Sequence, residues 1–299
     1  MTVPVPITPP SYTLAEGPVW DAARRRLLWL DIEEGLVLVG RLEGDQVVLE
    51  KEHRFESYVG ALALAEDGSI LVAETRTLTR VAPDGTRTST VDVEQLGPGD
   101  RFNDGLCDAE GRLLVGTCSF QGIRDSQLLL RIDADGTKVL DEGLGLSNGL
   151  AFSPDAGTLY SVDSVPGGLW RRTYDQSTGS AGMRELLVDL DGFTPDGLAV
   201  DATGRLWLAV WGRGEVRCYS PDGEHLDTIA VPAPHVSCVA FVGDDLDRLV
   251  ITTARSELTE EQLAEFPLSG SLFLADPGCT GLAPFAWPGR LDTPTRRTS

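Results

Sequence analysis

One phrase recurs six times along the chain, and that repetition limits the fold more than any other feature. It consists of a Gly or other small residue, a short apolar alternation, a turn, and a second apolar run. The copies begin at Gly17, Gly60, Gly105, Gly149, Gly197 and, more loosely, Cys238, with steps of 43, 45, 44, 48 and 41 residues. Gly60-Ala-Leu-Ala-Leu-Ala-Glu-Asp-Gly-Ser-Ile-Leu-Val-Ala73 is representative. Its period near two, broken by Asp-Gly, is the pattern of a β-hairpin. Between the phrases lie further strand-turn-strand pieces, such as Thr79–Arg87, Leu128–Lys138 and Glu215–Glu224. Two hairpins per ~40–50 residues make one four-stranded propeller blade. The expected fold is therefore all-β, a six-bladed β-propeller; a sandwich or barrel requires no repeat this regular. No Pro/Gly/Ser-rich linker divides the chain, so residues 1–299 read as one domain. Residues 1–15 are expected to supply the strand that closes the ring. Helical signal is confined to Ser256–Glu265, where Thr259 and Gln262 form a capping pattern.

Composition narrows the function. Lys and Arg number 25 against 46 Asp and Glu, a formal net charge of −21. Such a surface repels phosphate backbones, which argues against nucleic acid as a partner. No apolar run reaches the ~18–20 residues of a membrane span, and the opening residues lack a signal-peptide pattern. Five cysteines, none in a C-x-x-C pair, read as free thiols in a reducing compartment. A cytoplasmic protein is expected, a monomer or weak homodimer, with no membrane partner. His53, His225 and His235 show no zinc-site spacing, so any metal site must be built mainly from oxygen.

The residues immediately before the six phrases are Glu16, Val59, Asp104, Asn148, Asp196 and Ser237. Inner strands of a propeller run beside its axis, so equivalent positions ring that axis at one level. Glu16, Asp104, Asn148 and Asp196 are thereby expected to converge from four blades. Crowded carboxylates are costly unless a cation neutralises them or they hold their protons. Carboxylate and amide oxygens are ligands of a hard divalent ion. The chain has only two asparagines, Asn103 and Asn148, and both fall at this level. Competing motifs are weaker. Gly145-Leu-Ser-Asn-Gly149 matches a nucleophile elbow, but that elbow needs a helix after it and Leu150–Asp155 reads as strand and turn. Asp133-Ala-Asp-Gly136 and Asp189-Leu-Asp-Gly192 are hairpin turns, because no closing Glu completes a calcium loop. Cys107, Cys118, Cys218 and Cys238 read as small core residues.

Glu16-Gly-Pro-Val-Trp, Arg101-Phe-Asn-Asp-Gly105, Ser147-Asn-Gly-Leu, Pro195-Asp-Gly-Leu and Ser237-Cys with Thr252-Thr-Ala-Arg255 together resemble the senescence-marker-protein, gluconolactonase and regucalcin family of six-bladed propellers. The resemblance implies a metal-dependent lactonase, with a divalent ion held by Glu16, Asn148 and Asp196. Calcium is the first expectation, and magnesium, manganese or zinc are compatible with the family. It also implies that Arg101 and Asn103 hold substrate, that Asp104 lies beside the metal, and that Asp196 acts on the attacking water. The expected substrate is a small-molecule lactone, a sugar lactone or a related cyclic ester. The chain departs from the family at Phe120, where sugar lactonases often carry an acid, and at Leu106, where Lys is frequent. Both changes make the pocket more apolar. A more apolar lactone or a phosphotriester is therefore the alternative substrate, and a calcium-binding propeller without catalysis the alternative class.

Overall fold

The computed structural model describes residues 3–290. Six antiparallel sheets follow one another along the chain, each leading from an inner to an outer strand. Blade 1 holds β2 (Ala15–Asp21), β3 (Arg26–Asp31), β4 (Leu36–Glu43) and β5 (Gln46–Arg54). Blade 2 holds β6 (Val59–Leu64), β7 (Ile70–Glu74), β8 (Thr77–Val81) and β9 (Arg87–Asp92). Blade 3 holds β10 (Asp100–Cys107), β11 (Leu113–Ser119), β12 (Gln127–Asp133) and β13 (Gly136–Leu144). Blade 4 holds β14 (Ser147–Phe152), β15 (Thr158–Asp163), β16 (Gly168–Asp175), β17 (Ser180–Ala181) and β18 (Glu185–Asp189). Blade 5 holds β19 (Thr194–Val200), β20 (Leu206–Trp211), β21 (Glu215–Tyr219) and β22 (His225–Ala230). Blade 6 holds β23 (Val236–Val242), β24 (Arg248–Thr253) and β25 (Phe273–Ala275), and its outer strand is β1 (Val5–Pro6). Val5 pairs with Leu274 and Pro6 with Phe273. The N-terminal segment thus closes the ring, and the expected propeller is the observed one. Blade 4 departs from four strands because β16 runs on past β18 to pair its far end, Tyr174–Asp175, with β17.

Each hairpin phrase is an inner pair of strands, and its alternation serves both faces. In blade 1 Leu27 and Trp29 pack toward blade 6, whereas Leu28 and Leu30 pack toward blade 2. The same division holds in blade 3, where Leu113 and Val115 face blade 2 and Leu114 faces blade 4. The core is accordingly six clusters, one between each pair of neighbouring blades. A strand buried on both sides reads as a nearly continuous apolar run, which is what Leu206-Trp-Leu-Ala-Val210 shows. Turn acids pin the hairpins. Asp108 accepts the backbone N–H groups of Glu110 and Arg112, and Asp201 those of Thr203 and Arg205.

The feature that builds a site is a break in every inner strand. Ladder register shifts between Glu16 and Val19, Val59 and Ala61, Phe102 and Gly105, Asn148 and Leu150, Pro195 and Leu198, and Val236 and Cys238. These are β-bulges, which leave residues unpaired and re-aim side chains. They fall at or beside the positions singled out by the repeat. Close approach of neighbouring inner strands explains the glycine that follows. A β-carbon at Gly149 would lie 2.4 Å from the carbonyl oxygen of Asp196, and one at Gly197 would lie 2.3 Å from Cys238 Sγ. Gly149→Ala is expected to lower stability by about 1–3 kcal/mol, the usual cost of overpacking. It should also displace the Asp196 backbone, and the loss is read as a lower Tm.

The short helix α1 (Glu260–Glu265) begins with the expected capping box. Thr259 Oγ1 accepts from Gln262 N, and Gln262 Oε1 accepts from Thr259 N. Beyond blade 6 the chain crosses the face of the ring opposite the bulges. Ala202 N and Gly281 N bond Thr280 O and Leu246 O at one end of this crossing, and Trp287 N bonds Leu64 O at the other. Leu282–Phe285 help line an axial cavity of about 300 Å³ whose wall also includes Asp104.

Candidate active site

The bulges bring Glu16, Asp104, Asn148 and Asp196 to one buried centre from blades 1, 3, 4 and 5. Glu16, Asn148 and Asp196 are 7%, 8% and 8% exposed. Burial is the main cause that lifts the Glu16 carboxyl from its ordinary range to about 8, and the charge of Asp104 adds to it. Burial likewise lifts Asp104 to about 6. Asp196 is raised well above the carboxylate range by burial, then by the charges of Glu16 and Asp104. These groups feel one another, as the repeat predicts.

Local hydrogen bonds hold the donors. Glu16 Oε2 accepts from Gly17 N, and the neighbouring Cys238 thiol favours its ionised form. Asp104 Oδ1 accepts from Gly105 N at 2.7 Å. Asn148 Nδ2 donates to Ser164 Oγ at 3.2 Å, and Ser164 Oγ donates to Pro195 O at 2.6 Å. That pair ties blade 4 to the strand carrying Asp196, and the Asn148 amide favours the ionised form of the Asp196 carboxyl. Asn103 Nδ2 reaches Asn148 Oδ1 at 3.2 Å and Ser147 O at 3.0 Å. Arg101 Nη1 donates to Asn103 Oδ1 at 3.0 Å and to Phe102 O at 2.8 Å. Its positive charge favours the ionised forms of both Glu16 and Asp196.

The rim beyond Arg101 is aromatic. Phe120 packs edge-on against Tyr58 with ring centroids 5.1 Å apart, and the Arg101 guanidinium carbon lies 5.7 Å and 5.8 Å from the two centroids. Phe120 is 52% exposed.

Positional equivalence does not fix every side chain. Ser237 occupies the sixth position, but its hydroxyl donates to Ala15 O at 2.6 Å, binding blade 6 to blade 1. Ser147 is buried at the start of a strand followed by a hairpin, so the nucleophile-elbow geometry is absent there. His235 stacks on Trp211 at 4.1 Å and its Nδ1 bonds Ser256 O. Residues outside the predicted set take part. Cys238 touches Glu16, Cys118 Sγ donates to Asn103 Oδ1 at 3.5 Å, and Ser164 and Tyr58 support Asn148 and Arg101. The two cysteines are buried, as expected of core residues, yet both border the site. Ser164 was findable from the hairpin pattern, since it follows the strand end paired with Ser147.

The donor chemistry fits a hard divalent ion. The expected ligand set offers two carboxylates and one amide oxygen, and a third, half-buried acid, Asp104, adds negative charge beside it. Among the described residues no three His, Cys, Asp or Glu side chains stand together at ligand spacing.

A ring of six blades with buried acids at its axial bulges and a polar, aromatic rim defines the class, a propeller with an acid-lined axial site. Residues 14–255 match the family model described as the SMP-30/gluconolactonase/LRE-like region, and the chain belongs to that family. It is similar to the 6-deoxy-6-sulfogluconolactonase of Pseudomonas putida, 35% identical over 89% of this chain and 93% of that one. It is also similar to the pentonolactonase of Haloferax volcanii, 32% identical over 94% of this chain and 97% of that one. Among solved structures, the calcium-binding protein regucalcin of Agrobacterium tumefaciens is 30% identical, with a TM-score of 0.88 over 97% of this chain and 98% of that one. No helix among the described residues is long and apolar enough to cross a membrane.

Proposed function

We propose that the protein hydrolyses lactones with the help of a divalent cation held by Glu16, Asn148 and Asp196. The observation that carries this reading is the convergence of buried acids from three blades, each raised by burial, beside Arg101 and Asn103. Family relatives that act on sugar lactones support the substrate class, and a calcium-binding relative supports the ion.

When bound, such an ion supplies positive charge that polarises an ester carbonyl and stabilises the oxyanion formed from it. The side chains do the rest. Arg101 and Asn103, locked to each other and to Asn148, orient the lactone by hydrogen bonds, so less ordering remains to be done on binding. Asp196 accepts the proton of the attacking water. As the ring C–O bond breaks, the proton held by Asp196 passes to the departing oxygen and the product is a hydroxy acid. Asp104 adds negative charge next to the ion. Glu16 is fixed by Gly17 N, and Asn148 by Ser164.

The test is acid release from a panel of aldono-γ- and δ-lactones, with a phosphotriester alongside, followed in a pH-stat with calcium, magnesium, manganese or zinc present. Saturable turnover well above spontaneous opening is expected. Tight ion binding with no turnover of any lactone in the panel would leave a calcium-binding propeller as the reading, and turnover of phosphotriesters alone would replace the substrate class.

A further inference from the structure

Three rim residues have no part in holding an ion or moving a proton. Tyr58 precedes the first residue of the blade 2 inner strand, and Phe120 and Ile123 lie in the loop joining β11 to β12. Phe120 and Ile123 are 52% and 65% exposed. Exposed large apolar side chains are ordinary when scattered. Here Phe120 is part of a connected wall. Its ring is held edge-on by Tyr58, its backbone N–H is tied to Gly99 O at 2.9 Å, and Arg101 lies against both rings. From Arg101 an unbroken series of hydrogen bonds leads through Asn103 to Asn148. The aromatic wall is therefore continuous with the candidate site, and Arg101 has one edge on Phe102 O and Asn103 and a face toward the rings.

Resting on the lactonase reading above, we infer that Tyr58 and Phe120, with Ile123 further along the same loop, form a subsite for a short alkyl or aryl substituent on the lactone ring. Neither Tyr58 nor Phe120 carries a carboxylate of its own to pair with sugar hydroxyls. A polyhydroxylated chain laid there would lose water contacts and regain only the Tyr58 hydroxyl. A hydrocarbon substituent would cover Phe120 and Ile123 and take them out of water. The substrate class is a lactone whose ring ester meets the axial site and whose ring carries a hydrocarbon group pointing at the rim.

The experiment compares kcat/KM for γ-lactones that differ only in alkyl length, with aldonolactones alongside, using the metal-loaded full chain. The expected result is a rise of about two- to fourfold per methylene over the first few carbons, the scale set by burying a CH₂ group. In Phe120→Asp the ratio of kcat/KM between a long-chain and an unsubstituted lactone should fall at least tenfold. Ile123→Asp, a change at a largely exposed position, should lower the same ratio severalfold, and serves if the first variant does not fold. Aldonolactone turnover with a flat alkyl series overturns the inference and leaves the lactonase reading standing. An alkyl series whose slope is unchanged in both variants also overturns it. No turnover of either lactone class sinks both.

Discussion

Asp196→Asn is expected to lower kcat/KM for lactone hydrolysis by about 10³-fold, near 4 kcal/mol of transition-state stabilisation, the scale of losing a positioned general base. The variant should fold as well as the parent, because the substitution preserves shape and removes a charge. Asp196 is buried and faces Glu16 and Asp104, and those causes raise its carboxyl well above the ordinary range. In the metal-free protein its ionised form therefore costs stability. The amide has no such cost, so in chelator at pH 8 the Tm of the variant should equal or exceed that of the parent. A residue retained only for structure would show the reverse, a lower Tm and activity lost in proportion to unfolding. Measuring both quantities on one preparation separates the two roles. Parent-like turnover in the variant would remove Asp196 from the mechanism.

How much of this could be read in the chain follows from which contacts repeat. The hairpins were legible because each phrase carries its own turn and period, and six copies at near-constant spacing leave few ways to bury both faces of every strand. The site level was legible for the same reason. Glu16, Asp104, Asn148 and Asp196 hold equivalent positions, and the bulges occur at those positions in all six blades. Orientation was not legible. Ser237 shares the position but donates to Ala15 O, since its direction is set by blade 1 across the closure of the ring. Cys238 read as a core residue, and its contact with Glu16 depends on two blades more than 200 residues apart in sequence meeting side by side. The crossing Thr280–Trp287 has no period at all. Its course is set by isolated bonds to Ala202, Leu246 and Leu64, which no local pattern encodes. Blade 4 gained β17 because the Asp175–Gly179 turn is closed by its own hydrogen bonds.

Removal of the divalent ion is expected to abolish turnover and to invert the pH dependence of stability. In the metal-free protein the Glu16 carboxyl titrates near 8 and that of Asp104 near 6, both lifted chiefly by burial. The unfolded chain releases the same protons near the ordinary values of about 4. Between about pH 4 and pH 8 the folded state therefore binds more protons than the unfolded state. Stability must then fall as pH rises through that window, and it is highest below it. A cation held by Glu16, Asn148 and Asp196 requires the carboxylates in their charged forms, so its binding releases protons and strengthens with pH. Because it binds only the folded protein, it adds stability that grows over the same range. Thermal unfolding from pH 4.5 to 8.5 should give a falling Tm in chelator and a level or rising Tm in saturating calcium, with the two curves diverging most above pH 7. Lactone turnover at pH 7.5 should disappear in chelator and return on adding back the ion. Parallel Tm curves, or turnover that persists in chelator, would mean that the buried acids are neutralised by something other than a cation at the axis.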